Sequence, residues 1–319
     1  MQAQSIPLAR YRFSAVVQER LPLPDYSGSL LRGQFGASLR KVACMTLQAT
    51  CPGCPLLQTC QYSRIFETPP PISGRDTLQV FSQVPKPFVL EPPAPGKHVL
   101  QQGEVLAFNL VLMGHAIEQL PLLVFALQRA LARGLTRERA PAVLTQVDWL
   151  DAQGSAHPIW TQAQQRLLDH DANLHIPTLP PDATSITLHL HTPLRLQQQS
   201  GPLGVSQLTP HALIAALVRR TALVLELHAN QTGWGESAKA LAALSDTITE
   251  TRDLQWFDWA RYSSRQRQEI PLGGVLGRWS LQAPTTTLHA LWPWLWLGQW
   301  LHVGKAATLG LGCYTLDVA

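Results

Sequence analysis

Two successive stretches of the chain carry the same order of hydrophobic periodicities, and that order constrains the fold more than any single motif. In the first stretch, residues 7–19 (PLARYRFSAVVQE) are apolar, β-branched and aromatic in the manner of a strand. Residues 27–46 then place Leu30, Leu31, Phe35, Leu39, Val42 and Ala43 at helical spacing, with Ser27 available as a cap and Arg32, Arg40 and Lys41 on the other face. Proline lacks an amide donor and fixes φ, so the proline-rich residues 67–97 are expected to form loop and short extended pieces. Residues 104–114 read as a strand and 115–134 as a helix stopped by Gly134. The stretch APAVLTQVDWLDAQG closes this half as another strand.

Polar and proline-containing residues 161–183 mark the boundary, giving expected domains of 1–165 and 180–319. Beyond it, residues 184–196 alternate as a strand, and 209–229 are helical with Thr209 as the cap before Pro210. Asp253 to Gln282 read as two strands separated by a basic, polar connection. A helix over 287–301 and a short strand after Gly312 complete the half. Each half therefore runs strand, helix, strand or strand pair, helix, strand, which is the split βαβ order of a ferredoxin-like unit. The expected class is α+β with two such units in tandem. The halves share no visible sequence identity, so the repeat is architectural.

Of the 319 residues, 45% are hydrophobic, enough for two cores. The net charge of +4 is too small to argue for a polyanionic partner, but its distribution is uneven. Arg10, Arg12, Arg20, Arg32, Arg40 and Lys41 face only Glu19 and Asp25 in the first segment. Arg261, Arg265, Arg267, Arg278 and Lys305 face only Glu269 in the last. If the domains faced each other, these would make one positive surface. Arg10 and Arg12 break the uninterrupted apolar run that a signal peptide requires, so export is not expected and a cytoplasmic location is. The run LHALWPWLWLGQWLHVG is shorter than the roughly 20 residues that span a bilayer, and it contains Pro293 and two histidines. It reads as a buried helix, with an interfacial anchor as the alternative. Trp292, Trp294, Trp296 and Trp300 cannot all face one way on it, so most belong in a core.

That helix leads into WLHVGKAATLGLGCYTLDVA, where Gly304, Gly310 and Gly312 crowd a turn beside Lys305 and His302. A Walker loop does not fit, because no Ser or Thr follows the Gly-Lys pair. A dinucleotide fingerprint does not fit either, because this turn closes a helix instead of opening one. A plain tight turn remains one reading, although two residues would serve where about nine are used. The other is a loop whose glycines admit a ligand to the backbone, with amides and Lys305 cradling a phosphate.

The segments RYSSRQRQEIPLGGVLGRWSL and WLHVGKAATLGLGCYTL, with LRGQFGASLRKVAC and CPGCPLLQTCQYSRIFE near the start, resemble the CRISPR-associated endoribonucleases that process precursor crRNA. These form the sixth family of Cas proteins, within the RAMP superfamily. The likeness is strongest over 257–316 and 29–67. It implies two ferredoxin-like, RRM-related domains with a basic cleft, and a terminal glycine-rich loop that contacts RNA. It also implies binding of the repeat hairpin of precursor crRNA and metal-independent cleavage, in which the RNA's 2′-hydroxyl attacks the adjacent phosphate to leave a 2′,3′-cyclic phosphate. The crRNA would then be retained and passed to other CRISPR effector subunits. The alternative is a non-catalytic RAMP-type crRNA-binding subunit of such a complex.

Cleavage of this kind needs a base, a cation for the developing phosphorane charge and an acid. Many relatives use a histidine near the first helix, and this chain has none before His98. Two options remain open. Arg32, Arg40 and Lys41, with Tyr26, orient and activate the phosphate; or His302 swings to it beside Lys305. As an alternative role, His302 caps the end of the tryptophan helix. His115 is expected to be structural, and His189 and His191 share a strand face. Arg261, Tyr262, Arg265 and Arg267 form the densest basic–aromatic patch, suited to pairing with phosphates and stacking on bases, unless it is merely a solvated connection.

Cys44, Cys51, Cys54 and Cys60 give C-x6-C-x2-C-x5-C. In a reducing compartment such density favours a metal over disulfides: tetrahedral zinc first, an iron–sulfur cluster second, with free or disulfide-linked cysteines remaining. Its role would be to pin the segment after the first helix, and catalysis would need no cofactor. Cys313 reads as a small buried residue.

Overall fold

The computed structural model describes residues 5–70, 84–96, 98–198, 201–263 and 268–319, with backbone alone for 260–263 and 268–271. The chain divides into two compact units, one of Pro7–Leu174 and one of His175–Ala319 together with the described residues up to Ile6.

In the first unit the elements are β1 (Ser5–Val17), α1 (Gly28–Ala43), β2 (Phe88–Glu91), β3 (Val105–Met113), α2 (Leu120–Arg133), β4 (Ala142–Leu150) and β5 (Ala156–Thr161). Their sheet runs β2-β3-β1-β4-β5, antiparallel at each pairing. Without the β5 edge this is the ferredoxin-like order, with the first and third strands central. Alternate β1 residues Tyr11, Phe13, Ala15 and Val17 are buried, and they join Phe35 and Leu39 of α1 and Phe88 of β2 in one core.

Three local outcomes differ from expectation, each for a physical reason. The expected helix 115–134 is a 3-10 turn over Gly114–Gln119 followed by α2, because Pro121 sits in the first turn and restarts the ladder. Ser27 makes no side-chain cap at α1. Strand β5 was not anticipated; it returns across a turn in which the Asp151 carboxylate accepts the Gln153 and Ser155 amides at 3.0 and 2.8 Å. Gly134 does end α2, at φ +88°, where a Cβ would lie 2.1 Å from the Arg139 carbonyl oxygen.

The second unit contains β6 (Ser185–Leu194), α3 (Pro210–Ala229), β7 (Thr249–Phe257), β8 (Ala260–Ser263), β9 (Gln268–Pro271), β10 (Gly274–Gln282), α4 (Thr285–Leu301) and β11 (Tyr314–Val318). The sheet order β7-β10-β6-β11 is again ferredoxin-like, and β8 and β9 form a separate hairpin. Thr209 caps α3 as expected, accepting the Ala212 amide at 3.1 Å. Helix α4 keeps Pro293 inside it and buries Trp292, Trp296 and Trp300. It also admits the fully buried Tyr314 of β11, whose hydroxyl donates to the Leu295 carbonyl at 2.6 Å. That insertion needs Gly298, since a Cβ there would sit 2.0 Å from the phenolic oxygen. Among the described residues, no helix is long and apolar enough to cross a membrane.

Candidate functional site

On α1, positions 32, 36 and 40 lie one turn apart on a single face, and the five-residue π turn Ser63–Glu67 packs against it. The Phe66 ring lies over Gly36, where a Cβ would come within 2.3 Å of it. The Arg32 guanidinium sits 4.4 Å from the Phe66 centroid, and that of Arg40 sits 5.8 Å from the Tyr62 centroid. Arg40 also donates to the Gln48 and Ala49 carbonyls, the latter at 2.8 Å. The basic face expected to orient a phosphate is therefore largely covered. Arg40 is engaged with backbone carbonyls and an aromatic ring, Arg32 is half-buried on Phe66, and Lys41 is exposed. Tyr26 is half-buried before the helix.

The structure adds a cation that sequence reasoning missed. Lys86 approaches the same Phe66 ring at 5.9 Å and donates to the carbonyls of Phe66 and Glu67. Burial, and secondarily the charge of Arg32, pull its amine from 10.5 to about 8. No local pattern marks Lys86, which follows the proline-rich stretch and meets α1 only through folding. Two histidine pairs were also missed. The Tyr11 hydroxyl pairs with His170 Nε2 at 2.9 Å, and His157 Nε2 pairs with Asp151 at 3.0 Å while stacking on Trp149. In the second pair His157 is exposed and Asp151 half-buried. Burial, and secondarily the charge of Arg64, push the His115 imidazole down.

The four cysteine side chains are half-buried and line one cavity of about 10 Å³, together with Arg40, Thr46 and Tyr62. Among the described residues, no three His, Cys, Asp or Glu side chains stand in the arrangement of a metal site. The zinc expectation is therefore not supported by the sulfur positions as they stand.

In the second unit the glycine-rich loop folds onto the end of β6. Gly304, at φ +91°, bridges to Arg195, whose carbonyl accepts the Lys305 amide at 2.8 Å. The Gly312 amide donates to the Pro193 carbonyl at 3.1 Å and the Val303 amide to the Gly312 carbonyl at 3.2 Å, while Thr192 Oγ1 donates to the Gly310 carbonyl at 2.7 Å. Gly310 and Gly312 are buried. The notion of a cradle of exposed amides is corrected accordingly: the Lys305, Gly310 and Gly312 amides serve the chain's own carbonyls. What the loop presents outward is its crest at Lys305, which is exposed.

His302 is fully buried, and its Nδ1 donates to the Leu311 carbonyl at 3.2 Å. It cannot swing to a phosphate from there; it ends α4 with φ +53° instead. Arg220 braces the same end, its Nε donating to the Leu301 carbonyl at 2.7 Å, and burial pulls its guanidinium down to about 10.

Arg195, which sequence reasoning passed over, ties two candidate elements together. Its carbonyl holds the glycine-rich loop, and its Nη1 donates to the Gly273 carbonyl at 2.7 Å, at the root of the β8–β9 hairpin. Arg261 and Tyr262 lie on β8, where only backbone is described, and Arg265 and Arg267 lie outside the described residues. Beside the root, Trp256 and Phe257 are exposed. On the open sheet face His189 pairs with Asp317 at 2.7 Å and His191 with Thr315 at 2.8 Å, across β6 and β11.

Residues 188–314 match the family model for the CRISPR-associated endoribonuclease Cas6, and residues 6–172 match that of the AF_1859_N family, an N-terminal domain. The chain belongs to the AF_1859_N family, whose model spans more than half of it. Its fold is that of Thermus thermophilus Cas6 (TTHB231), at 16% identity and a TM-score of 0.54 over 99% of this chain and 100% of that one. The product complex of TTHB231 gives 16% identity and 0.58 over 98% and 100%. A partial Cas6-RT-Cas1–Cas2 complex matches at 15% identity and 0.57 over all of this chain, which spans 47% of the matched chain there. The chain spans 29% of its counterpart in the fuller Cas6-RT-Cas1–Cas2 complex. No curated protein matches it in sequence.

Proposed function

We propose that this chain is a Cas6-type endoribonuclease that binds the repeat hairpin of precursor crRNA and cleaves it by attack of the RNA's own 2′-hydroxyl, without a catalytic metal, leaving a 2′,3′-cyclic phosphate and a 5′-hydroxyl. The crRNA is then held and handed to other CRISPR effector subunits in the cytoplasm. The observation that carries this reading is Arg195, which joins the exposed Lys305 crest to the root of the hairpin bearing Arg261 and Tyr262. Lys305 supplies a compact positive charge for a backbone phosphate, and the arginine-rich connection suits paired phosphates and stacked bases. On the first unit, Lys41 is the exposed cation of the α1 face and the one placed to meet a phosphate, while Arg32 and Lys86 lie against Phe66 behind it.

A second reading, a crRNA-binding subunit without turnover, is favoured by one observation: His302, the histidine nearest the loop crest in sequence, is buried and engaged with a carbonyl.

Incubation with the cognate repeat RNA in EDTA separates the two. Cleavage to a cyclic phosphate is expected. Tight, salt-sensitive binding with intact RNA instead establishes the non-catalytic subunit. Lys305→Ala is expected to weaken binding across repeat sequences alike, and to lower the salt slope by about one counterion.

A further inference from the structure

Cys44, Cys51, Cys54 and Cys60 form the largest reactive cluster that RNA cleavage does not use. Cys44 ends α1, its amide donating to the Arg40 carbonyl at 2.9 Å. Cys51 and Cys54 flank a turn closed by a 2.9 Å bond between their own amide and carbonyl groups, with Gly53 at φ +81°. Cys60 enters the next turn, its amide donating to the Leu56 carbonyl at 2.8 Å. Residues 44–60 hold no helix or strand; Met45 and Leu47 are 78% and 81% exposed, while Leu56 and Leu57 are half-buried and Cys51 and Cys60 pack against the core. Apolar burial therefore anchors only part of this segment. All four thiols nevertheless line one cavity, with Thr46 Oγ1 3.4 Å from the Cys54 sulfur and 4.0 Å from that of Cys44.

We propose that these four cysteines bind a single zinc ion as a closed tetrathiolate site that staples the segment to the end of α1. The sulfurs do not stand at ligand positions in the structure as described, so χ1 rotation must bring them to about 2.3 Å from the ion. Four thiolates are the donor set of a closed structural zinc site. Binding releases four thiol protons to solvent as four sulfur–zinc bonds form, leaving a net charge of −2. Arg40, lining the same cavity, offsets that charge, and no redox step is involved. The staple would hold the Tyr62–Phe66 turn against Arg40, Gly36 and Arg32.

This inference is independent of RNA cleavage, and its test uses metal content. The full-length chain, purified without chelator, is expected to carry about one zinc by elemental analysis, with four of its five thiols protected from titration until the metal is stripped. Reloading with cobalt(II) is expected to give the visible ligand-field bands and sulfur charge-transfer absorption of tetrahedral cobalt thiolate. Cys313→Ser is expected to keep both signals, and Cys54→Ser to lose them. Five freely titrating thiols after zinc loading would overturn the proposal. So would iron with acid-labile sulfide, or a disulfide among the four. The cobalt spectrum of the unmutated chain decides the matter even if Cys54→Ser fails to fold.

Discussion

Lys86 is held among carbonyls beside a second cation, and its protonation is therefore linked to folding. Its folded value, about 8, lies below the unfolded 10.5, so the unfolded chain binds the extra proton between those limits. The penalty for burying the charge is present in full below pH 8 and disappears as pH rises toward 10.5. Urea unfolding of the parent chain against Lys86→Met is expected to show the parent gaining stability relative to the variant across that window. A difference independent of pH would refute the linkage. Gly36 makes a steric counterpart. Gly36→Ala drives a methyl into the Phe66 ring and is expected to destabilise by about 1–3 kcal/mol, measured as a lower urea midpoint at unchanged slope.

At the scale of elements, the glycine-rich loop is shaped by β6 as much as by any ligand. Gly312 at φ +69° would place a Cβ 1.9 Å from the Val303 carbonyl oxygen, so Gly312→Ala is expected to cost about 2 kcal/mol or more, and melting temperature reads it directly. Arg195→Ala acts differently, releasing the hairpin root while Gly304 can still pair with the backbone at position 195. Repeat-RNA affinity is expected to fall about tenfold, equivalent to ~1.4 kcal/mol, with a smaller change in stability than for Gly312→Ala. Equal affinity would show that the hairpin and loop bind independently. The sequence marks both elements through glycine and arginine content. It could not mark their junction, because Arg195 is a single basic residue at a strand end and its partner is a carbonyl 78 residues away.

Across the whole molecule, the order of elements was legible because it rests on periodicity, which a buried face imposes on every helix and strand. Both sheets confirm it, down to the central first and third strands. The β4–β5 return was not legible, since Ala156–Thr161 is exposed over half its length and shows little apolar signal. The site was legible as residue types and not as availability. Arg40, Arg32 and His302 are present where the motifs put them, yet aromatic rings and carbonyls occupy them, and such contacts come from residues distant in sequence. The loop itself carries a last consequence. Its amides at Lys305 and Gly312 point into the ends of β6 and not into water. In deuterated solvent these loop amides should exchange on the timescale of the adjoining sheet, opening only when β6 and β11 separate.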